Sequence, residues 1–153
     1  MSPAPRGVRL GVDVGRVRVG VAISDPDGIL ATPLVTLPRA EHVEEPEVPG
    51  DIARIVDLVM EHAVVEVVVG LPVNLAGVHG PAAEQTKAYA QRLAAAVAPV
   101  PVSFVDERMS TVVASRRLSE RGVRGRRQRA VVDQAAAVEI LQSWLDAQRR
   151  RTG

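Results

Sequence analysis

A carboxylate set inside a run of alternating apolar residues constrains this chain more than any other feature. Val8, Leu10, Val12 and Val14 alternate with other residues, the period of two that marks a strand with one buried face. A second alternation, Val17, Val19, Val21 and Ile23, follows a turn containing Gly15 and ends at Ser24-Asp25. Two such runs about a glycine turn predict a β-hairpin. Asp13 falls inside the first strand. A buried charge is costly unless it is paired, hydrogen-bonded or bound to a metal. Asp13 therefore either closes the turn at the strand end or faces a cleft and binds a cation.

Composition narrows the chemistry. The chain has no cysteine, which excludes disulfides, thiolate metal sites and a cysteine nucleophile. His42, His62 and His79 are its only histidines, too few for a histidine-rich zinc site. Hard-metal chemistry on carboxylates remains open. The first residues lack the apolar core of a signal peptide, and no run is long enough to span a membrane, so the expectation is a soluble cytoplasmic protein without a membrane partner. Phe104, Tyr89 and Trp144 are the only aromatics, a poor supply of base-stacking platforms. The length suits one domain, read as 1–153 with loose ends at 1–6 and 150–153.

Along the chain, Pro26-Asp27-Gly28 predicts a turn and 29–37 a third extended strand, making an antiparallel meander. Residues 39–50 carry Glu41, Glu44, Glu45 and Glu47 between prolines and are expected to form a flexible acidic loop. Asp51 is placed as the cap of an amphipathic helix over 51–62. The β-branched run 64–71 predicts a buried central strand parallel to the first. It ends in Gly70-Leu-Pro-Val-Asn74, and loops after central strands are where α/β proteins place ligands. Asn74 orients a phosphate or a water there, or closes the turn. Gly80-Pro81 opens a second helix, which Pro99 and Pro101 stop. A short strand at 102–105 runs into Asp106-Glu107-Arg108, either a solvated turn with an internal ion pair or a second acidic site. Ser110 or Thr111 is placed as the cap of a helix over 112–121. Residues 122–129 hold glycines with Arg124, Arg126, Arg127 and Arg129, a single-sign stretch suited to contacting phosphates. The last helix is expected over about 130–149, with Asp133 in its first turn and a frayed basic tail after it.

Taken together, these points resemble the YqgF family, also called RuvX-like. The residues that carry the resemblance are Gly11-Val-Asp-Val-Gly15 with Arg18, Gly20, Ala22, Ser24 and Asp25, then Val69-Gly-Leu-Pro72, Asp106-Glu-Arg-Met-Ser-Thr111, Val132-Asp-Gln-Ala-Ala-Ala137 and Ile140-Leu-Gln142. They span nearly the whole chain in order. Two features depart from the pattern. The acidic loop is longer than typical, and arginines stand before Asp133 where relatives tend to carry lysine, which keeps charge but not a lysine's point contact. The resemblance implies an α/β, RNase H-like fold: a central mixed sheet, three antiparallel strands then parallel strands, with helices on both faces. It also implies a nuclease that processes the 5′ end of precursor 16S rRNA or, as the alternative, resolves Holliday junctions.

Phosphodiester hydrolysis needs an activated water and stabilisation of the leaving oxygen, which two divalent ions supply. Mg2+ or Mn2+ suits a site of converging carboxylates. Asp13, Glu107 and Asp133 are the expected catalytic and metal-binding acids, with Asp106 in reserve. Neighbours on a strand point to opposite faces, so at most one of Asp106 and Glu107 faces the site. Arg108 contacts a phosphate or pairs with an acid. Arg18, Asn74, Arg108, Arg124, Arg126, Arg127 and Arg129 are the nucleic-acid-binding candidates, holding the backbone without reading sequence. The expected partner is structured RNA, within a pre-ribosomal particle, or a DNA junction. RNA trimming needs only a monomer, whereas junction cutting needs a symmetric homodimer. Two rivals remain. One is an actin-like nucleotide binder, for which the chain is short. The other is a non-catalytic nucleic-acid-binding module.

Overall fold

The computed structural model describes residues 6–40, 47–72, 79–109 and 126–152, with 109, 126–133 and 152 as backbone only. Strands β1 (Arg9–Val14), β2 (Arg18–Ser24) and β3 (Ala31–Pro38) form the antiparallel meander. Helix α1 (Gly50–Glu61), β4 (Glu66–Leu71), α2 (Pro81–Val97) and β5 (Val102–Asp106) follow. A 3₁₀ turn, Glu107–Met109, ends that segment, and α3 (Arg126–Thr152) is the last element among the described residues. The five strands lie in the order β3-β2-β1-β4-β5. β1 is the hinge of the topology: it pairs antiparallel with β2 and parallel with β4, which pairs parallel with β5. This is the mixed sheet that the resemblance implies, with the meander read from the alternation and the parallel β4 from the β-branched run.

The period of two sorts the strand residues between two cores. Leu10, Val12, Val19, Val21, Val67 and Val69 pack with Ile52 and Ile55 of α1 and Leu93 of α2. Ala22, Val68 and Val105 pack on the opposite face with Ala137, Ile140, Leu141 and Leu145 of α3. Fully burying each of those large aliphatics contributes about 1.5–3 kcal/mol. The second core depends on two missing side chains. A Cβ on Gly11 would lie 2.6 Å from Leu141 Cβ and 2.9 Å from the Ala137 carbonyl oxygen, and one on Gly70 would lie 2.4 Å from Ile140 Cδ1. Glycine there lets α3 sit directly on the sheet.

Three local expectations are corrected. Asp51 does not cap α1, because Pro49 occupies that position. Its carboxylate is buried and accepts from the Tyr89 hydroxyl at 3.0 Å and its neighbour Ile52 N–H at 3.0 Å. Helix α3 starts at Arg126, so Arg126, Arg127 and Arg129 belong to a helix rather than a loop. Arginine is a good helix former, and no glycine or proline follows Gly125 in this stretch. The basic tail is helical through Thr152. Cations favour a helix C-terminus, and Arg149 Nη1 donates to the carbonyls of Gly28 at 3.0 Å and Ile29 at 2.8 Å. The helix expected over 112–121, Asn74 and Arg124 lie outside the described residues. No helix among the described residues is long and apolar enough to cross a membrane.

Candidate active site

The topology gathers chemistry at one end of the sheet. The parallel strands β1, β4 and β5 all finish there, at Val14, Leu71 and Asp106. Ligands of open α/β sheets bind outside such carboxyl ends. Helix α3 presents its N-terminal turns to the same end, since its Arg149 is tied to Gly28 and Ile29 at the other.

Asp13 is 2% exposed and Glu107 4% exposed. The pleat sets Asp13 on the same face as Gly11, the face covered by α3. Val12 pairs with Val69, so the next step along the ladder sets Asp13 level with Gly70. Glu107 approaches from the other side: its Oε1 lies 3.3 Å from where a Cβ on Gly70 would stand. Gly70 is thus a gap between the strand bearing Asp13 and the turn bearing Glu107. The family motif contains this glycine, but its role as a spacer between acids depends on strand order, which local pattern does not reveal.

Asp106 is not brought to this face. It forms a fork with Arg108, whose Nε lies 3.1 and 3.0 Å from the two carboxylate oxygens and whose Nη2 lies 2.6 Å from Oδ2. The Arg108 backbone N–H also donates to Asp106 at 2.9 Å. These hydrogen bonds, the side-chain one foremost, hold the Asp106 carboxyl below its ordinary value. Of the two options for Arg108, pairing with an acid is the one observed. Asp25, which belongs to the same motif as Asp13, is a turn residue at the far end. It accepts from the N–H groups of Asp27, Ile29 and Leu30, and those bonds, the Leu30 one largest, lower its pKa.

Arg18 opens β2 at the site end and is half-buried. Asp133 lies on α3 one helical turn before Ala137, whose carbonyl faces Gly11; its side chain, like those of Arg126, Arg127 and Arg129, lies outside the described residues. Among the described residues no group of three or more His, Cys, Asp or Glu could hold a metal. Two buried carboxylates on one face nevertheless fit a hard divalent cation, because oxygen donors suit such ions and a bound cation offsets like charge. A cleft of about 220 Å³ opens at Glu107, lined also by Val14, Gly15, Arg16, Arg39, Pro72 and the first residues of α2. Arg16 and Arg39 were not singled out from the sequence. Arg39 stacks on Tyr89, 50 positions away in the chain, and no local pattern signals that.

Residues 7–147 match the family model described as "RuvX: Holliday junction resolvase". The chain belongs to the RuvX family. Curated relatives described as candidate pre-16S rRNA nucleases include one from Rhodococcus erythropolis, 56% identical over 95% of this chain and 81% of the relative. Another from Nocardia farcinica is 57% identical over 92% and 78%, and one from Mycobacteroides abscessus is 55% identical over 97% and 86%. Among solved structures, Thermus thermophilus RuvC in complex with a Holliday junction substrate aligns at a TM-score of 0.55 and 16% identity, covering 94% of this chain and 96% of that one. A second RuvC structure from the same organism aligns at 0.54 and 18% identity, covering 95% and 96%. At that identity the likeness shows the fold alone, and it is the RNase H-like fold that the RuvX resemblance implied.

Proposed function

We propose that this protein is a metal-dependent nuclease that hydrolyses phosphodiester bonds and processes the 5′ end of precursor 16S rRNA. The observation that carries the reading is the pair of buried carboxylates, Asp13 and Glu107, on one sheet face with Gly70 between them. With Asp133 one turn ahead of Ala137, they are the residues that would hold divalent ions, Mg2+ or Mn2+. Such ions, when bound, activate a water and stabilise charge on the leaving oxygen. The chain's own groups do the rest. Burial of Asp13 and Glu107 strengthens their hold on a cation by excluding bulk water. The strand ends and α3 fix their spacing. Arg18, Asn74, Arg124, Arg126, Arg127 and Arg129 would grip the phosphates on either side, which sets register without reading bases.

The RNA substrate is favoured by the descriptions of relatives more than half identical to this chain. On this reading the protein would act in the cytoplasm on a pre-ribosomal particle, with no need for a second copy. Junction resolution is the second reading, favoured by the family description and by the fold shared with RuvC. It would require a symmetric dimer. The deciding experiment compares wild type and Asp13→Asn on a labelled precursor 16S 5′ leader and a labelled four-way DNA junction, with Mg2+ or Mn2+. Leader cleavage lost in the variant supports the proposal. Junction cleavage lost in the variant supports resolution instead. Binding without cleavage of either would make the protein a non-catalytic module and overturn the nuclease reading.

A further inference from the structure

The cleft that Glu107 lines carries cations that the proposed mechanism leaves unused. Arg16, exposed in the β1–β2 turn, and Arg39, just past β3, line it together with Glu107. Arg39 is held in place from several sides. Its backbone N–H donates to the Val17 carbonyl at 2.7 Å and its Nη1 to the Gly15 carbonyl at 2.8 Å. Its guanidinium carbon lies 5.0 Å from the centroid of the Tyr89 ring. The Tyr89 hydroxyl donates in turn to Asp51, and both residues are buried. Burial, then the Asp51 charge, pushes the Tyr89 phenol well above its ordinary value, so it remains a proton donor.

This arrangement orients a guanidinium without cancelling it. A carbonyl and an aromatic face leave the positive charge in place. A guanidinium offers five N–H donors in a planar fork suited to phosphate. Among the described residues, the Gly15 carbonyl accepts from one of them. Gly15 directly follows the strand that carries Asp13, so Arg39 is fixed to the turn beside the acids. An acidic centre repels a polyanion, and cations at its entrance offset that repulsion.

We propose that Arg39 and Arg16 bind the phosphodiester backbone of the strand being cut, at the entrance to the Asp13–Glu107 site, and that the Asp51–Tyr89 pair positions Arg39 for that contact. The proposal rests on the nuclease reading and adds to it the place where the strand enters.

The test uses the full chain carrying Asp13→Asn, so that a bound strand stays intact. Short labelled single-stranded RNA and DNA are titrated across a series of salt concentrations. Arg39→Gln is expected to weaken binding roughly tenfold and to lower the log–log salt slope by about 0.7, one phosphate contact on a single strand. Arg16→Gln is expected to lower the slope similarly with an unchanged melting temperature. Arg39→Lys should keep the slope with reduced affinity, since it keeps charge but not the fork. Tyr89→Phe should weaken binding at an unchanged slope, since it keeps the ring and loses the bond to Asp51. If the parent binds and both glutamine variants keep its slope, the proposal is overturned, while cleavage by wild type still supports the nuclease. An affinity loss equal at every salt concentration in Arg39→Gln overturns it too, because removing a charge that meets no phosphate would do that. A parent that binds neither strand overturns this proposal, while cleavage of the leader by wild type decides the nuclease reading by itself.

Discussion

The sheet surface under α3 buries charge at both ends, and the two ends handle it differently. Along β1 that face reads Arg9, Gly11, Asp13; along β4 it reads Glu66, Val68, Gly70; along β5 it reads Ser103 and Val105, with Glu107 beyond. At the first end opposite charges meet. Arg9 Nε donates to Glu66 at 3.3 Å, the Ser103 hydroxyl donates to Glu66 at 2.6 Å, and Arg9 lies 5.0 Å from the Trp144 ring centroid on α3. At the other end the same strands present two acids and a glycine. Opposite charges in contact, with their hydrogen bonds met, satisfy one another and hold strands and helix together. Two acids on one buried face, at the carboxyl ends of parallel strands, are instead suited to gathering a divalent cation. A buried charge is therefore a marker of function only once its neighbours are known.

The largest expected effect breaks the acidic end. Asp13→Asn or Glu107→Gln should each lower metal-dependent turnover by roughly a thousandfold, since the ions they would hold supply several kcal/mol of transition-state stabilisation. The melting temperature should change far less than turnover does, because each amide keeps the volume and packing of the acid it replaces. Turnover and thermal melts of the same preparations check both halves. A stability loss with normal turnover would reverse the contrast between the two ends.

The opposite pattern is expected at the other end. Glu66→Gln should destabilise the fold by about 3 kcal/mol, because it removes the Glu66 charge that faces the buried Arg9 guanidinium. Denaturant titration measures that loss. Turnover assayed well below the melting temperature should stay near wild type. Between the two lies Gly70→Ala, which touches both functions. Its Cβ would press on Ile140 and approach Glu107, so stability should fall by about 1–3 kcal/mol and turnover should fall with it. Adding Ile140→Val makes room for the methyl. Recovery of stability without recovery of turnover would show that Gly70 spaces the acid as well as seating the helix.

The contrast between the ends also explains how far the sequence could be read. Asp13 stood out because it interrupts an apolar alternation, and an alternation is local. The meander followed from the same alternation, and the parallel β4 from a continuous β-branched run, which is also local. Arg9 sits in that strand too, yet it drew no notice, since its partners Glu66, Ser103 and Trp144 are assembled only by strand order and helix docking. Gly70 was visible as part of a motif, but its meaning is the space it leaves under Ile140. The start of α3 was misjudged because glycines and a run of positive charge read as a loop, whereas arginine propensity carries the helix back to Arg126. Asp51 was read as a cap for a similar reason: its actual partner, Tyr89, comes from another helix.

The smallest expected effect concerns the acid next to Glu107. Asp106 faces away from Asp13 and is bound to Arg108, and their side chains are 28% and 37% exposed. At that exposure solvent screens the pair, so Asp106→Asn should cost less than about 1 kcal/mol at neutral pH. The sign of its pH dependence follows from the lowered carboxyl. The folded state binds this proton less readily than the unfolded chain. The pair's contribution is therefore complete above the unfolded carboxylate value of about 3.9 and is lost as pH falls through the lower folded value. Wild type and variant should converge in stability over that acidic range. Turnover of Asp106→Asn should stay within about twofold of wild type, the size expected for a screened surface pair. A loss as large as that of Asp13→Asn would mean that the reacting acids are not sorted by sheet face, and the contrast between the two ends would no longer locate the site.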